Sequence, residues 1–318
     1  MIRGKIRSVG SALPKRIVTN KELSKTLDTT DEWIKTRSGI EQRHIADEGV
    51  LTSDLAVEAA REALEKADLK PKDIDLILVA TTTPDETFPA TATIVQRKLG
   101  CQGMAMDIQA VCSGFVYGLT TADGLFKTGV AKRALVIGAE TLSRLLNWKD
   151  RTTAVLFGDG AGAVVFEVVE DEDDGFLAAS LHSDGSKHDI LYVDGGPSST
   201  GTVGKIHMVG REVFRHAVDN MADAMCKTLE KANIKIEDVD WVVPHQANKR
   251  IIDSVSKKMD LKLECVVVTV HKHANTSAAS IPLALHEAVT DGRIQKGDLI
   301  LMEAMGGGLT WGACLIRY

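Results

Sequence analysis

The chain has 318 residues, 44% of them hydrophobic and 26% charged, as in an ordinary water-soluble globular protein with room for one large domain or two moderate ones. Its net charge of −6 argues against a general nucleic-acid binder. Five scattered cysteines without a CxxC suit a reducing compartment and argue against a disulfide frame or a structural zinc site. No apolar run approaches the roughly 18 residues of a membrane span. The opening MIRGKIRSVGSALPKR lacks the apolar centre of a signal peptide, so a cytoplasmic location is expected.

In chain order, residues 2–10 read as a strand and Val18 to Leu27 as a short helix opened by Thr19 or Asn20. TTDEWIKTRSGIEQRHI (29–45) follows, carrying Trp33, Arg37 and Arg43. Ser53 is expected to cap SDLAVEAAREALEKAD, whose alanine-rich face suits tight packing. A buried strand over Ile74–Ala80 leads to the polar loop TTTPDETFP. Met104 to Val111 reads as a further buried strand. From Ser113 the apolar residues Phe115, Leu119, Ala122 and Phe126 recur at helical spacing until Gly129 stops them. Cys112 therefore stands where a strand runs into a helix. Unpaired N–H groups and the positive end of the helix dipole there favour a nucleophilic thiolate.

The second half repeats much of the first. LEKADLKPKDIDLILVA (64–80) aligns without gaps to LEKANIKIEDVDWVVPH (229–245), with seven of seventeen positions identical. VAKRALVIGAE (130–140) matches IQKGDLILMEA (294–304) at nearly the same offset, and GAVVFEV (162–168) resembles GACLIRY (312–318). These blocks predict a duplicated α/β unit of mostly parallel strands with helices covering the sheets. The acidic run Glu170 to Asp174 marks the division, giving halves 1–172 and 173–318. An irregular Gly- and Ser-rich insertion, Ser183 to Gly210, is expected to fold over the surface.

In such folds ligands collect at the carboxyl ends of strands. Cys112 lies at one. The repeat offset places Asn275, in HANTSAAS (273–280), at the pseudo-symmetric position, between a strand Val266–Val270 and a helix from about Ser277. His245 ends the strand Trp241–Val243. Cys, His and Asn on converging loops have two readings: a papain-like hydrolase, or a nucleophile with two donors for a developing oxyanion. GDGAGA (158–163) is neither a dinucleotide fingerprint nor a P-loop. MGGGLTWG (305–312) lets backbone approach a ligand or simply turns between strands. His271, His273 and Cys265 lack evident further ligands, so no metal site is expected.

VCSGF, VVPHQANKRI, HANTSAAS, FGDGAGA and GGGLTWGA resemble, in order and over essentially the whole chain, the motif set of β-ketoacyl-acyl carrier protein synthase III of the thiolase superfamily. The resemblance implies a five-layered αβαβα fold of two duplicated halves, a homodimer, and a decarboxylative condensation that starts fatty-acid synthesis. It implies an acyl-CoA primer, acetyl-CoA first, and malonyl-acyl carrier protein as substrates, with no cofactor. Cys112 resembles the acyl-accepting nucleophile, His245 and Asn275 the residues promoting decarboxylation, and the N–H groups of Cys112 and Gly307 the oxyanion hole. Trp33 and Arg151 resemble the pair holding the adenine of coenzyme A, with Arg37 and Gly210 on the same binding surface. Phe214, Ala247 and Asn248 resemble residues of the pantetheine tunnel. Phe157 and Phe88 are expected at the acyl pocket, Phe88 as a side chain that a dimer partner could supply. Arg250 and Lys257, two helical turns apart, with Arg215, Gln246 and Lys258, form the expected face for an acidic carrier protein. Two departures stand near the site: Val111 where the family often has Ala, and HAN where it commonly has GN. A CoA-only acyltransferase, a hydroxymethylglutaryl-CoA synthase-like enzyme (which needs a further carboxylate near the cysteine) and a cysteine hydrolase are the alternatives.

Overall fold

The structure, a computed structural model, describes residues 1–171 and 173–318. Glu172, at the expected division, lies outside the described residues. The main elements are β1 (Ile2–Ala12), α1 (Thr52–Lys66), β2 (Leu76–Ala80), α2 (Thr91–Leu99), β3 (Met104–Ile108), α3 (Gly114–Lys127), β4 (Arg133–Thr141), β5 (Asp159–Glu170), β6 (Gly175–Ser183), α4 (Gly210–Ala232), β7 (Trp241–Pro244), α5 (Lys249–Lys258), α6 (Ser280–Thr290), β8 (Leu299–Gly306) and β9 (Thr310–Arg317). The first sheet has the order β1-β5-β4-β2-β3 and the second β6-β9-β8-β7. The second repeats the first, strand for strand, except at the place of β3.

Alternation of side chains along each strand explains the layering. Leu76 and Leu78 of β2 face inward and join Phe115 and Leu119 of α3, Ile281 and Leu285 of α6, and Ile300 and Met302 of β8 in one apolar cluster. Ile77 and Val79 face outward and meet Ala56, Ala60 and Ala63 of α1. On the far side, Leu301 and Leu315 meet Met221 and Met225 of α4 and Ile252 and Val255 of α5. The result is helix, sheet, paired central helices, sheet, helix: five αβαβα layers, each apolar side chain contributing about 1.5–3 kcal/mol by leaving water.

The repeat extends to backbone detail. Asp68 and Asn233, which follow α1 and α4, share a left-handed conformation with φ of 54° and 53°. Each is followed by a single 3₁₀ turn whose aspartate, Asp73 or Asp238, accepts a hydrogen bond from the backbone N–H three residues earlier. The contact between sheet and central layer is close. A Cβ on Gly138 of β4 would stand 2.1 Å from the carbonyl oxygen of Ala278.

Several expectations are corrected. The strands are not mostly parallel: β2 runs parallel to β3 and β4, and β7 to β8, while the other four pairings of the two main sheets are antiparallel. The first short helix is confined to Asn20–Leu23, because Val18 belongs to a strand, Arg16–Thr19, paired with Gln42–Ile45. Thr19 does cap it, accepting from Glu22 N at 3.2 Å. Ser53 lies inside α1 instead of capping it, and its hydroxyl accepts from Lys98 Nζ at 2.6 Å. The strand before Cys112 ends at Ile108 and is only partly buried, since β3 is an edge strand paired on one side. Val266–Val270 forms no ladder; one bridge, Val242 to Val266, precedes a short helix Val270–His273. His271 and His273 thus lie on a helical turn, and among the described residues no three His, Cys, Asp or Glu are grouped to hold a metal. Nor is any helix of the described residues long and apolar enough to cross a membrane.

Candidate active site

The chain from β3 to α3 turns sharply at Val111, whose φ is 48°, before a single 3₁₀ turn (Val111–Ser113) that carries Cys112. The chain into α6 makes the same turn at Ser277, with φ of 49°, before the 3₁₀ turn Ser277–Ala279. The pseudo-symmetric partner of Cys112 is therefore Ala278. Asn275 lies just ahead of its turn, not at the matching position. It reaches the site by pairing with a different strand end: Asn275 N donates to Leu156 O at 2.9 Å, and Gly158 N donates to Asn275 O at 3.0 Å.

Cys112, His245 and Asn275 line one cavity of about 1270 Å³. His245 closes β7, its N–H donating to Glu303 O at 2.8 Å. Asn275 Oδ1 accepts from Ser277 N at 2.8 Å, which leaves its Nδ2 as the donor. The glycine turn after β8 packs on the nucleophile loop. A Cβ on Gly306 would stand 2.5 Å from Cys112 N, so only glycine lets the two segments meet. Thr310 Oγ1 donates to Ala110 O at 2.8 Å and Ser113 Oγ can donate to Thr310 Oγ1 at 2.8 Å, tying the turn down. Gly307 is on the cavity wall beside Cys112.

Burial decides the protonation of this site. It pushes the Cys112 thiol up to about 12, opposed by a hydrogen bond from Ser277 and reinforced by the nearby Glu140. Burial lowers His245 to about 3, leaving a neutral imidazole. It raises Glu140 to about 7 against hydrogen bonds from Thr82 and Thr83, and Glu303 to about 8. Glu140 is the carboxylate near the cysteine that the sequence did not reveal. It is not on the cavity wall, and Thr83 Oγ1 holds it at 2.6 Å.

Arg37, Phe157, Gly210, Phe214, Ala247, Asn248 and Arg250 also line the cavity. Trp33 and Arg151 stand outside it: the guanidinium carbons of Arg37 and Arg151 lie 4.9 and 5.3 Å from the Trp33 ring centre. Asn248 caps α5 through Arg250 N and donates to Arg37 O at 3.1 Å, joining two parts of the rim. Phe88 does not line this chain's cavity; it is 82% exposed at the loop tip. Gln246 cannot be a surface contact. It is 1% exposed, its Nε2 donating to Pro244 O and Val267 O and its Oε1 accepting from Thr269 N and Val270 N. Arg215 and Lys258 are exposed but engaged with Glu212 and Asp219. Arg250 and Lys257 are exposed, with no carboxylate in ion-pair range among the described residues.

The insertion supplies walls that its composition did not announce. Leu191–Val193 and Ile206–Met208 pair as a small hairpin, and Leu191 and Ile206 meet Leu142, Leu145 and Phe157 at the apolar end of the cavity. The run TLSRLL after β4 was a signal for this patch, as an apolar segment beginning at a strand's carboxyl end.

The HAN departure has a local cost. Ala274 has φ 57° and ψ −158°, a region nearly reserved for glycine, and is fully buried. Ala274→Gly is expected to raise stability by about 1 kcal/mol, strain relief exceeding the entropy gained by the unfolded chain. Urea unfolding of the two proteins checks this; a destabilised glycine variant would contradict it.

Family models described as 3-oxoacyl-[acyl-carrier-protein (ACP)] synthase III and its C-terminal part match residues 106–185 and 229–318. The chain is 62% identical to the beta-ketoacyl-[acyl-carrier-protein] synthase III of Erythrobacter litoralis, over 100% of both chains. It is 60% identical to that of Allorhizobium ampelinum, again over 100% of both. The crystal structure of 3-oxoacyl-[acyl-carrier-protein] synthase III from Aquifex aeolicus superposes with a TM-score of 0.94 at 50% identity, covering 99% of this chain and 100% of that one. That of the Thermus thermophilus protein superposes equally well at 43% identity, covering 99% of each. With its αβαβα layers and its cysteine, imidazole and carboxamide on one cavity, the chain belongs to the 3-oxoacyl-[acyl-carrier-protein] synthase III family of thiolase-fold condensing enzymes.

Proposed function

We propose that this chain condenses an acyl-CoA primer, acetyl-CoA first, with malonyl-acyl carrier protein, releasing CO₂ and starting type II fatty-acid synthesis. One observation carries the reading: the buried nucleophile shares its cavity with an imidazole that burial keeps neutral and a carboxamide, two hydrogen-bond donors on the same wall. Cys112 sulfur attacks the primer thioester, and its proton leaves with the coenzyme A thiolate. The N–H groups of Cys112 and Gly307 receive the tetrahedral oxyanion. Malonyl-acyl carrier protein then loses CO₂. The enolate oxygen takes hydrogen bonds from His245 Nε2 and Asn275 Nδ2, its carbon attacks the acyl group, and Cys112 departs as a thiolate that regains a proton from solvent. Carbon dioxide release drives the condensation, so the scheme requires neither metal nor redox cofactor.

A cysteine hydrolase fits less well, since it works from a thiolate–imidazolium pair and both groups here are neutral. A hydroxymethylglutaryl-CoA synthase-like reaction needs a carboxylate at the substrate, and Glu140 is walled off by threonines. Arg37 and Arg250 at the rim suit coenzyme A phosphates and the incoming carrier, and Arg250 with Lys257 forms the carrier face. We also propose a homodimer formed along the one-sided edge strand β3, with Phe88 as the side chain it offers the partner's acyl pocket. Residues 1–172 and 173–318 are taken as the two halves, and the cytoplasm as the location.

Roles separate by half-reaction. Cys112→Ser should form no acyl-enzyme by mass spectrometry after acetyl-CoA. Asn275→Ala should still form it but lose malonyl decarboxylation by about 10²-fold or more. An acyl adduct on another residue would refute the assignment. An ordinary histidine charges as pH falls through about 6.5. His245 has its value lowered to about 3, so it stays the same neutral donor. Malonyl decarboxylation should therefore show no fall with an apparent pKa near 6.5 between pH 8 and 5. Reversing charge at Arg250 and Lys257 should raise KM for the malonyl carrier about tenfold at low salt, and reversing Lys257 alone should leave acetyl-CoA kinetics unchanged. Unchanged carrier kinetics would remove this face from the model of docking.

A further inference from the structure

His245 makes one side-chain hydrogen bond among the described residues, and the partner is a serine that no motif reading assigns a role. His245 Nδ1 lies 2.6 Å from Ser280 Oγ, with both residues buried. Ser280 opens α6, and its Oγ also accepts from Gln246 N at 3.2 Å. That N–H cannot swing away, because the Gln246 side chain is fixed at both ends by backbone groups.

Hydrogen-bond accounting then selects a tautomer. A serine hydroxyl has one hydrogen to give and two lone pairs. The Gln246 N–H occupies one lone pair. Among the described residues the hydroxyl hydrogen has one acceptor in reach, His245 Nδ1. If Nδ1 carried its own hydrogen, two donors would converge on Oγ and the serine hydrogen would be buried without an acceptor, a costly arrangement. We propose that Ser280 is a positioning residue that holds His245 with its hydrogen on Nε2, the nitrogen left to the cavity. His245 is then committed to donating toward the substrate and cannot take the proton of Cys112. The same short segment thus sets both donors: Ser277 N orients the Asn275 amide, and Ser280 Oγ orients the imidazole. Burial, which keeps the ring neutral, agrees with this.

This inference rests on the condensing reading for its consequence, though not for its geometry, and the test keeps the two apart. The full-length protein is labelled with ¹⁵N-histidine and the tautomer read by long-range ¹H–¹⁵N correlation, with His245→Ala to assign the signal. The wild type should show hydrogen on Nε2 alone; hydrogen on Nδ1 would overturn the proposal without any variant. Ser280→Ala should give a mixed or Nδ1–H signal and lower malonyl decarboxylation about 10²-fold, with acetyl transfer to Cys112 reduced less than threefold. Ser280→Thr, which keeps the hydroxyl, should restore the Nε2–H signal and much of the rate. If Ser280→Ala keeps the wild-type tautomer, or if both half-reactions fall together with the tautomer unchanged, the serine is only structural and the proposal fails. A moved tautomer with decarboxylation intact would support the role of Ser280 and count against His245 as the enolate donor.

Discussion

Two residues with side chains, Val111 and Ser277, are held at positive φ where the chain leaves a sheet region for the central helix layer. The region disfavours side chains, and a β-branched valine most of all, at roughly 1–3 kcal/mol. The turns persist because the layers around them leave no alternative. Val111 is pressed against the glycine turn after β8, and Ser277 is tied by the carboxamide of Asn275. Without those two bends, α3 and α6 could not lie side by side between the sheets. The duplication does not yield two equal sites. Cys112 follows its bend and Asn275 precedes its own, so one composite centre forms from unlike parts of like halves.

The chemistry of that centre is set by dryness rather than by charge. Cys112, His245, Glu140 and Glu303 are all pushed toward their neutral forms by burial. A site of neutral dipoles in a low dielectric stabilises a charge that appears during reaction without stabilising one beforehand. An enolate or a tetrahedral oxyanion is such a charge.

Much of this was legible in the residues. The ungapped repeat of 64–80 in 229–245 reported the two sheets, and it did so through local features, a left-handed residue and an aspartate-closed 3₁₀ turn, that demand particular side chains. Cys112, His245 and Asn275 were visible because each sits at the end of a readable apolar run. What could not be read depended on distant contacts. Gln246 looks like a surface residue by type, yet its amide ends match four backbone groups brought in from elsewhere. The thiol looked activated because a helix end is a local feature, whereas its burial is made by both halves together. β3 looked buried by its apolar run, but an edge is a property of the sheet. The insertion 183–210 has no periodicity, and its role as a wall exists only once Leu142 and Phe157 stand opposite it.

The two guanidinium groups beside Trp33 have a consequence for any flat molecule that reaches the indole. Their carbons lie 4.9 and 5.3 Å from the ring centre. An aromatic ligand settling on that ring would compete with them, and a displaced guanidinium would need water or an anion in exchange, so the net gain from such a contact is small.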